Sequence, residues 1–211
     1  MKLYLTPLSH FSRKVVIVLA ELGLDHEREH VPDLLSTDPA DFGGNPILRV
    51  PVLEDGENWV VESDAIVRYL LERHDPGDRL GLGSLQVPQR NTLSVIASIM
   101  GAEVELILSQ RSGASRGRLF DRHGEVIEHC LAWLERHGPS AWTDLPFSYL
   151  DVSLTCMWDH LSHSGLLKDV ECFPWIAETV ARHADRPSVR ESSPEAMQEL
   201  QWKLYPSQRP S

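Results

Sequence analysis

Pro76, Gly77, Gly81, Gly83 and Pro88 crowd into one short stretch, and the hydrophobic period changes across it. Breakers at that density disfavour both a helix and a strand. Before the stretch, short alternating segments interleave with helical ones; after it, nearly everything repeats at the 3.6-residue period. A chain that changes period at such a point is two domains in series. With 211 residues there is room for two small domains and not for three. The reading is a first domain over residues 1–78, a linker over 79–87 and a second domain over 88–205.

In the first part, Lys2 to Thr6 alternates polar and apolar residues and stops at Pro7, which predicts a strand. A helix follows, starting among Ser9, His10, Phe11 and Ser12, where a serine can cap free amides, and stopping at Gly23. Glu27 to Val31 reads as a weaker strand. Asp38 followed by Pro39 suggests a short helix over Pro39 to Phe42. Val50 to Leu53 and Trp59 to Val61 flank Asp55-Gly56, a hairpin signal. Ser63 then reads as the cap of a helix from Asp64 to about His74. The order is βαβ, a short helix, then ββα.

In the second part, Leu93, Ile96, Met100, Val104 and Leu108 form one helical stripe, and Leu119, Ile127, Cys130, Leu131 and Leu134 contribute to a second helix. Ser148-Tyr149-Leu150-Asp151 resembles a capping box and opens a third helix. Phe173 to Ala184 is a fourth, stopped at Arg186-Pro187. The fold class is therefore α/β followed by an all-helical bundle.

Composition removes several function classes. Hydrophobic residues make up 42% and charged residues 24%, the balance of a chain that buries a core. The formal net charge of −11 repels phosphate backbones and anionic lipid unless a local basic patch exists, so neither nucleic acid nor a membrane is an expected partner. Cys130, Cys156 and Cys172 are scattered, with no C-x-x-C pair, which fits a reducing, cytoplasmic setting. The apolar run Val15 to Leu24 is interrupted by Glu21 and lacks a signal-peptide cleavage pattern. No stretch reaches the roughly 20 apolar residues of a membrane span.

The chemistry gathers at three places in the first part. The helix start at Ser9 and Ser12 offers unpaired N–H groups and a positive dipole end, which favour a thiolate over a thiol. Val50-Pro51, if cis, turns the backbone of Val50 outward, so that it can pair with an extended peptide as an added strand would. Glu62-Ser63 stands at the next helix start, able to hold a carboxylate on its amides and hydroxyl and an ammonium on the Glu62 side chain. A ligand with a thiol, a peptide backbone and an α-amino acid end satisfies all three, and glutathione is such a ligand.

With those segments in view, the sequence resembles the soluble glutathione transferase family, in which a thioredoxin-like N-terminal domain precedes a helical one. The matching segments are 9–15, Asn45-Pro46-Ile47-Leu48-Arg49-Val50-Pro51-Val52-Leu53, Glu62-Ser63-Asp64-Ala65-Ile66 and Ser148-Tyr149-Leu150-Asp151, in family order. The resemblance implies that Val50 pairs with the cysteinyl part of glutathione, Glu62 and Ser63 hold its γ-glutamyl end, and Arg49 reaches the glycyl carboxylate. It places Ser9 at the sulfur, with Ser12 as its rival. Ser9-His10-Phe11-Ser12 is an S-x-x-S version of C-x-x-C, so no mixed disulfide forms there, and a serine hydroxyl can instead stabilise a thiolate that attacks a small apolar electrophile. Leu8, Phe11 and part of the Leu93 to Arg111 helix are candidates to line the electrophile site. A homodimer is also implied. The sequence leaves open a binding or regulatory module on the same fold, or a glutathione-dependent isomerase, dehalogenase or peroxidase.

Competing structural readings stand beside these. Ser9 and Ser63 can be helix caps alone, and Val50-Pro51 a structural turn. Cys156, His160 and His163 share a helical face at metal-ligand spacing, but they adjoin the stripe Leu150, Leu154, Met157 and Leu161, and packing explains them; no metal is assigned.

Overall fold

The computed structural model describes residues 1–167 and 169–206, which separate into two compact units. The first comprises Met1–Arg79 together with the described residues from Asp185 onward; the second is Leu80–Ala184. The expectation of a helical domain running to residue 205 thus meets a chain whose last helices belong to the first unit. Periodicity marks those residues as helical and says nothing about which core takes them.

The first unit is built on a four-stranded sheet, β1 (Lys2–Leu5), β2 (Glu27–His30), β3 (Val52–Asp55) and β4 (Asn58–Val61), in the order β2-β1-β3-β4. β1 and β2 are parallel, which requires a crossover, and α1 (His10–Leu22) supplies it. β3 runs antiparallel to β1 and β4 antiparallel to β3, joined by a two-residue turn at Gly56-Glu57. This is a thioredoxin-like arrangement. Leu3 and Leu5 on β1, Val52 and Leu53 on β3, the Val15 to Leu19 run of α1, and Ile66, Val67, Leu70 and Leu71 of α2 (Ser63–His74) form its core. β2 is an edge strand of alternating charge, Glu27-Arg28-Glu29-His30, a composition that discourages edge-to-edge pairing. Asp38 caps a 3₁₀ turn over Pro39–Phe42, as the Asp-Pro pair predicts.

The second unit contains α3 (Val87–Arg111), α4 (Arg118–Ala141), α5 (Tyr149–Ser164) and α6 (Pro174–Ala181). α3 packs on both α4 and α5, and α6 on α4 and α5. α5 opens with the expected capping box: Ser148 Oγ accepts from the Asp151 amide at 3.2 Å and Asp151 Oδ2 accepts from the Ser148 amide at 2.7 Å. α3 has the length and composition of a membrane span, with a mean hydropathy of 1.6 over its most apolar window. That corrects the expectation that no stretch reaches a membrane span: serines, Thr92, Glu103 and Glu105 interrupt the apolar residues of α3 without removing its overall apolar character. Ile96, Ile99, Met100 and Leu106 are nonetheless buried in the packed protein. One predicted stripe residue departs from its role: Leu119, assigned to the apolar face of the second helix, is exposed in the first turn of α4, while Ile127, Leu131 and Leu134 are buried as expected.

Two short helices, α7 (Pro187–Arg190) and α8 (Pro194–Leu204), complete the first unit. α7 packs against α1.

Candidate active site

The residues expected to hold glutathione all lie in the first unit, and the sheet register brings their segments together. Tyr4 of β1 faces Val52 of β3, so the chain just before β3, residues 49–51, runs beside the end of β1 and the approach to α1. Ser9 is the N-cap of α1: its backbone is extended and its Oγ accepts the Ser12 amide at 3.1 Å. That bond uses a lone pair and leaves the hydroxyl proton available to an incoming anion. Ser12 lies one turn inside the helix and is only 1% exposed, so of the two serines Ser9 is the one that faces outward.

The Val50–Pro51 peptide bond is cis. Pro51 is buried and Val50 partly exposed, and among the described residues no hydrogen bond engages the Val50 N–H or C=O. An extended peptide could take both groups. The loop that presents Val50 is organised by Asn45, a buried residue whose Oδ1 accepts the Ile47 amide at 3.0 Å and whose Nδ2 donates to the Arg49 carbonyl at 2.8 Å. Leu48 stands within it at φ +57°, a conformation that glycine would adopt without strain. Arg49 is exposed at the surface of the same loop.

Ser63 does not cap α2 as expected. Ser63 is the first residue of α2 and Glu62 is its N-cap, at φ +70° and ψ 130° with no side-chain bond to the helix. An exposed, non-glycine residue in that conformation is strained by about 1–3 kcal/mol, and the carboxylate it carries is free of any capping duty. Ser63 is buried, and among the described residues its hydroxyl makes no hydrogen bond.

The starts of α1 and α2 are joined by an ion pair from Lys14 to Asp64. Lys14 is almost wholly buried and lies in the second turn of α1; Asp64 is in the first turn of α2. A charge that far from water is held only by a close partner, so the pair fixes the spacing of the two helix ends. Neither Lys14 nor Asn45 was assigned a role from sequence. The signal for Lys14 was an ammonium set against the apolar run Val15 to Leu19, which a solvent-facing lysine would not require.

Residues 8–73 match the glutathione S-transferase N-terminal domain. Over that segment the first unit is similar to the glutathione S-transferases. The chain is 37% identical over 87 residues to glutathione S-transferase 4 of Zea mays, a match that spans 40% of this chain and 39% of that protein. A glutathione S-transferase-like protein of Aspergillus fumigatus is 33% identical over 87 residues, 36% of its length, so the chain matches under two fifths of these curated relatives. Among solved structures, a glutathione S-transferase of Methylobacterium radiotolerans in complex with glutathione sulfonate is 26% identical, with a TM-score of 0.73 and coverage of 92% of this chain and 94% of that one. Glutathione S-transferase 1-6 of Anopheles dirus has the same fold at a TM-score of 0.79, 21% identity and coverage of 99% and 100%.

The segment that matches the glutathione S-transferase N-terminal domain contains Ser9, Val50, Pro51, Glu62 and Ser63. Of the three residues at metal-ligand spacing in the second unit, His160 directs Nδ1 to Glu103 Oε1 at 2.7 Å, and Ser164 donates to the same oxygen at 2.9 Å. That carboxylate is buried.

Proposed function

We propose that this protein is a glutathione transferase: it binds glutathione in the first unit, stabilises its thiolate and directs it at a small apolar electrophile. The observation that carries the reading is the outward-facing Ser9 hydroxyl at the start of α1, beside a Val50 backbone with no partner among the described residues. Val50 N–H and C=O pair with the cysteinyl residue in the manner of an added strand. Glu62 accepts from the γ-glutamyl ammonium, while Ser63 and the first amides of α2 hold its carboxylate. Arg49 meets the glycyl carboxylate.

The sulfur then lies at the N-terminal end of α1. The dipole there and a hydrogen bond donated by Ser9 both favour the thiolate, and so lower the thiol pKa. The thiolate attacks the electrophilic carbon, forming a C–S bond as the leaving group departs with its electron pair. Ser9 remains a hydrogen-bond donor throughout and is not itself acylated, alkylated or oxidised. The family resemblance further supports a homodimer.

The test is glutathione binding and turnover of an aromatic halide by the parent, Ser9→Ala and Ser12→Ala. Ser9→Ala keeps glutathione binding and loses roughly ten-fold to a thousand-fold in turnover, the scale of one lost donor to a developing charge. Loss confined to Ser12→Ala moves the role to Ser12, and a parent that does not bind glutathione ends the enzymatic reading.

A further inference from the structure

The acidity of the chain has a local exception among exposed side chains. Residues 111–123, the end of α3, the turn and the first turn of α4, carry Arg111, Arg116, Arg118 and Arg122 against Asp121 alone, a local charge of +3 with histidine neutral. The total is −11, so the rest of the chain stands at −14. All four arginines are exposed, and among the described residues none of their side chains forms an ion pair or a hydrogen bond. Arg13, Arg79 and Arg186, by contrast, are each tied to a partner.

The same turn exposes an apolar side chain between two of those arginines. Leu119 is 66% exposed, flanked by Arg118, and Arg122 lies one helical turn further on. α3 and α4 pack against each other, and their 25 and 24 residues make a hairpin with this turn at one end. Gly117, the N-cap of α4, contributes no side-chain cap, so the positive end of the helix dipole adds to the guanidinium charge.

We propose that the α3–α4 turn docks on an anionic lipid bilayer, the four arginines meeting lipid phosphate and carboxylate groups while Leu119 enters the headgroup layer. The asymmetry of charge orients the molecule, since a strongly negative body is held off an anionic plane and only the +3 tip is drawn to it. A nucleic acid is the less suitable polyanion. Its recognition in single strands uses aromatic stacking surfaces beside the cations, and the turn offers only a partly buried Phe120. The exposed Leu119 has a use at a bilayer and none on a phosphate backbone.

The test is co-sedimentation of the whole protein with phosphatidylcholine vesicles, with and without about 30 mol% phosphatidylserine, at low and high salt. The expected result is binding that needs phosphatidylserine, weakens with salt and falls at least about ten-fold in the double variant Arg118→Glu, Arg122→Glu. Leu119→Ser lowers it several-fold at unchanged charge. Should the helix variants lose their fold, Arg116→Gln in the turn, outside any helix, gives the same charge test. Absence of binding to phosphatidylserine vesicles overturns the proposal. So does binding that ignores charge reversal, or capture of a single-stranded oligonucleotide in place of vesicles.

Discussion

Arg186 and Glu21 form a forked ion pair, Nε lying 3.2 Å from Oε1 and Nη2 2.6 Å from Oε2, across 165 positions of sequence. Ser188 donates to the same carboxylate. Two turns nearer the start of α1, Arg13 reaches the Val189 carbonyl at 3.1 Å and Ser192 Oγ at 3.3 Å. Farther on, Tyr205 Oη donates to the His30 carbonyl at 3.4 Å. A four-residue helix such as α7 has no stability of its own, so its structure depends on this docking.

The pair makes that docking sensitive to acid. Burial pushes the Glu21 carboxyl up, but the hydrogen bonds from Arg186 and Ser188 and the Arg186 charge outweigh it, and the group is held below its ordinary value. A lowered folded value means that its stabilisation is complete above the unfolded value of about 4.3 and is lost as pH falls through the folded one. Glu21→Gln is therefore expected to cost about 1–2 kcal/mol near neutral pH, between the range of an exposed pair and that of a charge-assisted fork. The cost shrinks toward zero in acid. Urea midpoints of parent and variant at both pH values check it, and an equal penalty at each contradicts the assignment.

Asp151 has a second structural use beyond the capping box. It is 3% exposed, and its Oδ1 accepts from Trp142 Nε1 at 2.9 Å and lies 3.2 Å from His183 Nε2. The Ser148 hydroxyl donates to Oδ2 at 2.6 Å. Asp151→Ala leaves several buried donors without an acceptor and is expected to cost about 2–4 kcal/mol. Asp151→Asn, which keeps the shape and one acceptor, is expected to cost about half as much. Equilibrium denaturation of the two variants gives the comparison, and a loss under about 1 kcal/mol for Asp151→Ala would show the hub to be idle.

Gly138 is fixed by contact. A Cβ there would stand 2.2 Å from two ring carbons of Trp175. Trp175 packs edge-on to Trp142 with centroids 5.1 Å apart, and Glu135 Oε1 accepts its amide at 2.8 Å, so the ring has little room to retreat. Gly138→Ala is expected to destabilise by about 1–3 kcal/mol through overpacking, with a changed tryptophan near-ultraviolet spectrum. An unaltered spectrum and melting curve would mean that the ring moves freely.

These contacts mark where the sequence was legible. Ser148 and Asp151 are three residues apart, so a local pattern contains their bond; Trp142 and His183 reach the same carboxylate from outside any such window. In the same way Ser9, Gly23, Asp38 and the hairpin at Gly56 were readable because turn and cap chemistry is local. Lys14 with Asp64 and Arg186 with Glu21 were not, because nothing in a single chain pairs charges 50 or 165 positions apart. Ser63 was misread for a local reason: serine is a preferred cap, and a glutamate at φ +70° has no sequence signal.

That glutamate gives the sharpest test of structure against use. Glycine adopts positive φ without a steric penalty, so Glu62→Gly is expected to hold or raise stability by about 1 kcal/mol, strain relief offsetting the added freedom of the unfolded chain. Glu62→Ala keeps the strain and gains nothing. If the carboxylate meets the γ-glutamyl ammonium, both variants lose a charge-assisted bond and bind glutathione roughly ten-fold to a hundred-fold more weakly. Calorimetric titration beside thermal melting separates the two effects. A glycine variant that is more stable and binds as tightly as the parent would remove Glu62 from the site, and one less stable than the alanine variant would remove the strain. The expected combination, stability kept and affinity lost, is what a residue held in a costly conformation for its ligand produces.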